Sequence, residues 1–277
     1  MDTAVSKSTN RLSLASGDEK TGLGNYFLAN YPPFSLWKSD YIPAVEAALA
    51  RPVPQGTPLG LYIHIPFCRK RCKFCYFRVY TDKNARQIEE YLEGLLQEVA
   101  IYGRQPAVQG RKLDFVYFGG GTPSYLSARQ LRDLFGELKR LLPWDSVQEV
   151  TFECEPGTLT EHKIQVIREI GVTRLSLGVE HVVDRILKLN GRAHGAHEID
   201  RAYGYARAAG FPQINVDLIA GMMGDTDEEW REAVRSGRLP TVRGVRLTAE
   251  DRARRAAIEM VMCRGEVDLG EIAEHGG

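Results

Sequence analysis

The chain has 277 residues, 43% hydrophobic and 26% charged, and its 36 Lys and Arg balance 36 Asp and Glu. That is enough apolar material for one large domain or two small ones, and the even charge argues against nucleic acid or an anionic membrane as the main partner. No apolar run reaches the ~18 residues of a membrane span, and the polar start Met1–Asp18 lacks the apolar core of a secretory signal.

Residues 1–57 read as a leader. Met1 to Gly24 is expected to be disordered, whereas Tyr26, Phe27, Tyr31, Phe34 and Trp37 are aromatics that need a surface to cover and are expected to pack on the main domain. From Leu59 a pattern repeats. Short apolar, β-branched runs (Leu61–Ile65, Phe115–Phe118, Val150–Phe152, Arg174–Val179, Ile214–Ile219) alternate with helical stretches. Ile88, Tyr91, Leu92, Leu95, Leu96, Val99 and Tyr102 recur at helical spacing. Ser127 to Gln130 reads as a capping box. Thr160 opens a further helix closed by Gly171, and His197 to Ala209 forms another, ended by Gly210. Asp225–Val234 reads as one capped helix, 236–244 as a loop, and Thr248 as the start of a helix to Cys263. Five βα units imply a parallel sheet in an α/β chain. Each run ends in residues with chemical potential, as the C-terminal strand ends of a barrel do, so the expected fold is a partial (β/α) TIM-like barrel.

Five cysteines in a chain this long do not suggest a disulfide framework. Three of them crowd into Cys68-Arg-Lys-Arg-Cys72-Lys-Phe-Cys75, the pattern of a metal or cluster site in a reducing, cytoplasmic compartment. Thiolates suit zinc and iron–sulfur clusters. A structural zinc takes four ligands, which here means adding His64, a residue that as part of a strand faces the same side as Tyr62. Three local thiolates suit a 4Fe–4S cubane with one iron left open. Arg69, Lys70, Arg71 and Lys73 offset the negative charge of such a loop and favour thiolate over thiol. Cys154, next to Glu153 on a strand, points to the opposite face and reads as core. His194 and His197, around Gly195, read as a surface loop, and Met222 and Met223 as packing residues.

Tyr62-Ile-His-Ile-Pro-Phe-Cys68 leading into the triad resembles radical S-adenosylmethionine enzymes of the oxygen-independent coproporphyrinogen III oxidase family. So do Phe118-Gly-Gly-Gly-Thr-Pro-Ser124, Phe152-Glu-Cys-Glu-Pro156, Leu175-Ser-Leu-Gly-Val-Glu180, Leu189-Asn-Gly-Arg192 and Asn215-Val-Asp-Leu-Ile-Ala-Gly221. The resemblance implies a 4Fe–4S cluster on Cys68, Cys72 and Cys75, with S-adenosylmethionine chelating the open iron and split to a 5′-deoxyadenosyl radical that acts on a tetrapyrrole-like or natural-product substrate. It further implies that Tyr62 sits beside the cluster and adenine, and that Gly119, Gly120, Gly121 and Thr122 approach the methionine amino group. Glu153 then contacts an ammonium or ribose hydroxyl, Arg192 the methionine carboxylate, and Glu180 and Asp217 the ligand from the fourth and fifth strands. An electron donor such as flavodoxin or ferredoxin is implied as partner.

The chain also departs from the family. Phe77 stands where the oxidases carry a further Cys, and Glu180 where many members have Gln. Cys75-Tyr-Phe77 is closer to the family's haem chaperones and radical C-methyltransferases, and the latter carry leaders. In the family a sixth strand and a long stretch precede an Arg-Gly-x-x-Leu-Thr segment, whereas here Arg243-Gly-Val-Arg-Leu-Thr248 follows almost directly on Val234. The expected organisation is a leader (1–57), a radical S-adenosylmethionine core (58–235) and a remnant of the C-terminal helical domain (236–277). Radical oxidation, radical C-methylation, haem delivery and an inactive shortened homologue are the competing functions.

Overall fold

The computed structural model describes residues 37–237 and scattered helical positions between 248 and 272. Five strands, β1 (Gly60–Ile65), β2 (Phe115–Gly120), β3 (Glu149–Cys154), β4 (Arg174–Glu180) and β5 (Gln213–Leu218), form one sheet in sequence order. Every neighbouring pair is parallel. Parallel neighbours need crossovers, and helices supply them. They are α2 (Ala85–Gly103), α3 (Ala128–Leu141), α4 (Glu161–Glu169), and α5 (Asp184–Leu189) with α6 (Ala196–Ala208), while α1 (Ile42–Leu49) precedes β1 and α7 (Glu228–Arg235) follows β5. No sixth strand exists among the described residues, so β5 is an edge, with Val216 and Leu218 exposed. This α/β sheet, wound in sequence order, is a partial TIM-like barrel core.

The side-chain alternation explains which face is packed. Val150, Phe152 and Cys154 of β3 point to the helices, while Glu149, Thr151 and Glu153 point to the other face. Strands β2 and β4 repeat the pattern through Val116 and Phe118, and through Leu175, Leu177 and Val179. Against this face lie α2, α3, α4 and α6, each packed on the next. Phe118, fully buried, stacks on Phe135 of α3 at 4.6 Å and meets Phe152 at 5.4 Å. Truncating such a ring leaves a cavity that rigid neighbours cannot fill, so Phe118→Ala is expected to cost about 3–5 kcal/mol. Urea unfolding of the reduced, metal-free protein measures this, and a loss under ~1 kcal/mol contradicts the packing.

Local signals set the helix ends. Ser127 and Gln130 form the expected capping box on α3, and Asn84 and Gln87 form one on α2. The Thr160 hydroxyl caps α4 by accepting from Lys163 N, and Gly171 closes it at φ 105°. Two short helices escape the sequence reading. One is α1, inside the stretch read as leader and tied down where Ala107 N donates to Leu49 O. The other is α5, six residues long. Helix α7 begins at Glu228, not at Asp225. Tyr26, Phe27, Tyr31 and Phe34 lie outside the described residues, and so do 238–247 and much of the stretch to Cys263. Trp37 is described and is exposed. No described helix is long and apolar enough to cross a membrane.

Candidate functional site

Between β1 and α2 the chain makes a loop that carries the three cysteines. Its base is pinned by Cys68 N donating to Tyr80 O and Tyr80 N donating to Pro66 O. Its far side is pinned by Lys73 N donating to Asn190 O, after α5. Cys68 is buried, and Cys72 and Cys75 are half-buried. All three line one cleft of ≈ 270 Å³ at the C-terminal ends of the strands, close to the lower end of the ~300–1,000 Å³ of small-molecule sites.

The same cleft is lined by Gly120, Gly121, Thr122, Glu153, Glu180, Arg192 and Asp217, so most of the residues singled out in the sequence converge. Tyr62 and Gly119 stand outside the lining. Tyr62 stacks near Tyr117 and hydrogen-bonds His64 Nδ1 at 3.1 Å. This places His64 on the face of Tyr62, as the alternation requires, with its ring against Gly120. Residues not foreseen also line the cleft: Glu155, Ser176 and Gly178. For two of them a signal existed. Ser176 precedes Gly178 and Glu180 on one strand face, and its hydroxyl donates to Asp217 Oδ2 at 3.0 Å. Glu155 follows Glu153 by two residues.

The glycine run has a steric reason. A Cβ on Gly121 would lie 3.0 Å from Cys68 Sγ and from two carbonyl oxygens, and one on Gly120, at φ 109°, would strike the His64 ring. Only glycine lets β2 end this close to the cysteine loop. Thr122 then donates its hydroxyl to Cys68 Sγ at 3.3 Å. Burial holds the Cys68 thiol above its ordinary value, and the Thr122 hydrogen bond opposes that.

The charged residues divide the cleft. Arg192 donates from Nη1 to Cys72 Sγ at 3.1 Å and from Nη2 to Gly178 O. The guanidinium that touches a thiol therefore comes from 120 residues away, not from the loop's own arginines. Arg71 instead donates to Cys75 O, and Arg69 to Gly157 O. Opposite stand Glu153, Glu180 and Asp217. Burial raises the Glu153 carboxyl, although Tyr117 Oη donates to it at 2.6 Å. Burial also raises Glu180, with Arg192 3.9 Å away pulling it down and Asp217 pushing it up. Glu180 adopts φ 66°, a left-handed conformation at a bulge in the β4–β5 register. A bulge re-aims a side chain, and this one turns Glu180 towards Arg192.

Two buried atoms in this region have no hydrogen-bond partner, Arg192 Nε and Glu155 Oε2. Among the described residues no three His, Cys, Asp or Glu side chains converge as ligands of a single ion do, and His64 hydrogen-bonds Tyr62. Cubane thiolates each take a separate iron and need no common point. Burial sorts the remaining histidines, cysteine and methionines. His194 is not on a surface loop but is fully buried behind the cleft, and only His197 is exposed. Cys154 is buried in the core, its thiol pushed up by burial. Met222 packs and Met223 does not.

Residues 62–236 match the family model described as the radical SAM superfamily. Among curated proteins, the heme chaperone HemW of Haemophilus influenzae is 34% identical over 179 residues, covering 64% of this chain and 47% of its own length. The oxygen-independent coproporphyrinogen III oxidase of Escherichia coli is 33% identical over 173 residues, covering 62% of this chain and 37% of its own length. The solved structure of coproporphyrinogen III oxidase (HemN) from Escherichia coli, described as a radical SAM enzyme, superposes with a TM-score of 0.66 at 30% identity over 75% of this chain and 47% of that one. The chain thus spans about half, or less, of the length of these relatives. With the thiols, glycine run and strand-end carboxylates in one cleft, and with that match over residues 62–236, the chain belongs to the radical SAM superfamily, in its coproporphyrinogen III oxidase-like family.

Proposed function

We propose that the chain holds a 4Fe–4S cluster on Cys68, Cys72 and Cys75, binds S-adenosylmethionine in the cleft beside it, and performs radical chemistry on an organic substrate. The observation that carries this reading is the convergence of three thiols, a glycine cradle and opposed charges in one cleft. When bound, the cluster supplies the electron that splits the sulfonium and leaves a 5′-deoxyadenosyl radical.

The chain's own residues sort by chemistry. Gly120 and Gly121 let the end of β2 lie directly against His64 and the cysteine loop, which brings the backbone of the cleft wall next to Cys68. Glu153 and Asp217 offer carboxylates to an ammonium or a ribose hydroxyl. Arg192, with Nε unmet, offers a donor to a carboxylate while its Nη1 donates to Cys72 Sγ. Burial of Glu153 and Glu180 is costly without a cation nearby, and a sulfonium or ammonium ligand relieves that cost. The electron donor is a small redox protein of the flavodoxin or ferredoxin kind.

Anaerobic reconstitution tests the reading. About four irons and four sulfides per chain are expected, with an EPR spectrum of the reduced protein that changes when S-adenosylmethionine is added. A spectrum indifferent to the ligand contradicts it. Under dithionite, S-adenosylhomocysteine formed alongside 5′-deoxyadenosine supports C-methylation, and its absence argues against it.

A second reading, a haem-binding chaperone that keeps the cluster, is favoured by the heme chaperone HemW proteins among the relatives at 34–36% identity. Haem titration decides it. A Soret shift saturating at micromolar protein supports it, and no shift rejects it.

A further inference from the structure

Behind the cleft lies a buried cluster that this chemistry does not use. His194, with no side-chain exposure, places Nδ1 2.6 Å from Glu155 Oε1 and Nε2 3.3 Å from Val179 O, at the end of β4. A carbonyl oxygen can only accept, so Nε2 carries a hydrogen. Glu155 Oε1 also accepts from Gly157 N at 3.1 Å. Burial alone would push the Glu155 carboxyl up, but the His194 hydrogen bond holds it below its ordinary value. Nδ1 therefore sits at hydrogen-bond distance from a buried carboxylate oxygen, and His194 links Glu155 to the end of β4.

The pair reaches the cysteine loop through one side chain. Arg69, next to Cys68, donates from Nη1 to Gly157 O at 2.8 Å and approaches Glu155 Oε2 at 3.8 Å. That oxygen is otherwise unmet. Gly157 makes the approach possible, because a Cβ there would sit 2.5 Å from Arg69 Nη1. The loop is thus fastened on one flank by Arg69 to the end of β3, and on the other by Cys72 to Arg192 and by Lys73 to Asn190.

We propose that Arg69, Glu155 and His194 are positioning residues, a brace that ties the cysteine loop to the ends of β3 and β4 and so sets where the three thiols stand. The brace rests on the cluster reading for its purpose but not for its test. A charge-assisted hydrogen bond on a rigid, buried partner is strong and directional, whereas Lys70 and Lys73 on the same loop are solvated.

The experiment uses the full chain, metal-free, anaerobic and reduced, and follows alkylation of Cys72 and Cys75 by iodoacetamide with mass spectrometry. Arg69→Ala and Glu155→Gln are each expected to speed alkylation about tenfold, the change that loss of one charge-assisted hydrogen bond brings. Because both break one brace, the double variant is expected to be no faster than the faster single one. Circular dichroism and the melting temperature serve as fold controls. Should Glu155→Gln not fold, Arg69→Ala and Arg69→Lys carry the test, since the Arg69 side chain is 45% exposed. Unchanged alkylation, or single effects that multiply in the double variant, overturns the brace. In the reconstituted protein the same variants are expected to lose iron to a chelator about tenfold faster. If the wild type binds no cluster, the cluster reading fails and the alkylation result still decides the brace.

Discussion

Replacing Cys72 by Ala is expected to lower the iron retained after anaerobic reconstitution from about four per chain to below about one. Each thiolate of a three-ligand set holds a separate iron, so the loss of one leaves a cluster edge with no protein ligand. Cys72 is also the thiol that Arg192 touches, so its place in the loop is held from the end of β4 as well as by the loop itself. The fold does not depend on it, because Cys72 sits in a half-buried loop while the core is made by the strands and helices. Cys154→Ala is the control. That thiol is buried, it donates to the Phe152 carbonyl at 3.8 Å, and burial pushes it up, so this variant is expected to keep all its iron. Iron and sulfide analysis of both variants checks the pair of outcomes. Equal iron in Cys72→Ala and wild type removes Cys72 from the ligand set.

Arg192→Ala is expected to destabilise the metal-free protein by about 2–4 kcal/mol at pH 8. It removes hydrogen bonds to Cys72 Sγ and Gly178 O, and leaves Glu180 without its cation. Both side chains are largely buried, 9% and 15% exposed, so solvent screens the pair weakly. The pH dependence has a definite sign. Burial raises the folded Glu180 carboxyl above its ordinary value, Arg192 draws it down, and the variant lets it rise further. Below the ordinary carboxylate range Glu180 is protonated in both states and carries no penalty. As pH climbs through the window between the ordinary and the raised value, the folded protein holds more protons than the unfolded one, and stability falls. The deficit of Arg192→Ala is therefore smaller at pH 4.5 than at pH 8. Glu180→Gln removes the charge, so Arg192→Ala costs less in that background, and Glu180→Gln alone is neutral or stabilising at pH 8. Urea unfolding at the two pH values gives the cycle, and a pH-independent deficit in Arg192→Ala refutes the coupling.

The two short helices missed from the sequence share a cause. A six-residue helix such as α5 has no room for a hydrophobic period, and Val183 before it supplies no side-chain cap. Helix α1 buries none of its residues, so its sequence carries no amphipathic stripe. His194 was misjudged for a different reason. Ala-His-Gly-Ala-His reads as a polar, glycine-containing surface turn, and nothing local reveals that Glu155, 39 positions earlier, waits beneath it.

The sequence by itself determined the strand–helix alternation, the capping box at Ser127 and the helix start at Thr160, the cysteine loop at the end of β1 and about half of the residues that line the cleft. Each of these is a local matter, decided by side-chain periodicity, by hydrogen bonds within a few residues, or by the rule that the strand ends of parallel sheets gather at one edge. Only the tertiary structure decided which charges meet. Arg192 finds Cys72, Arg69 finds Gly157, and Glu180 turns at a left-handed bulge towards Arg192. Those pairings join segments up to 120 residues apart. Their geometry depends on sheet register and on how closely the glycines at 121 and 157 let the chains approach, which no spacing along the sequence records.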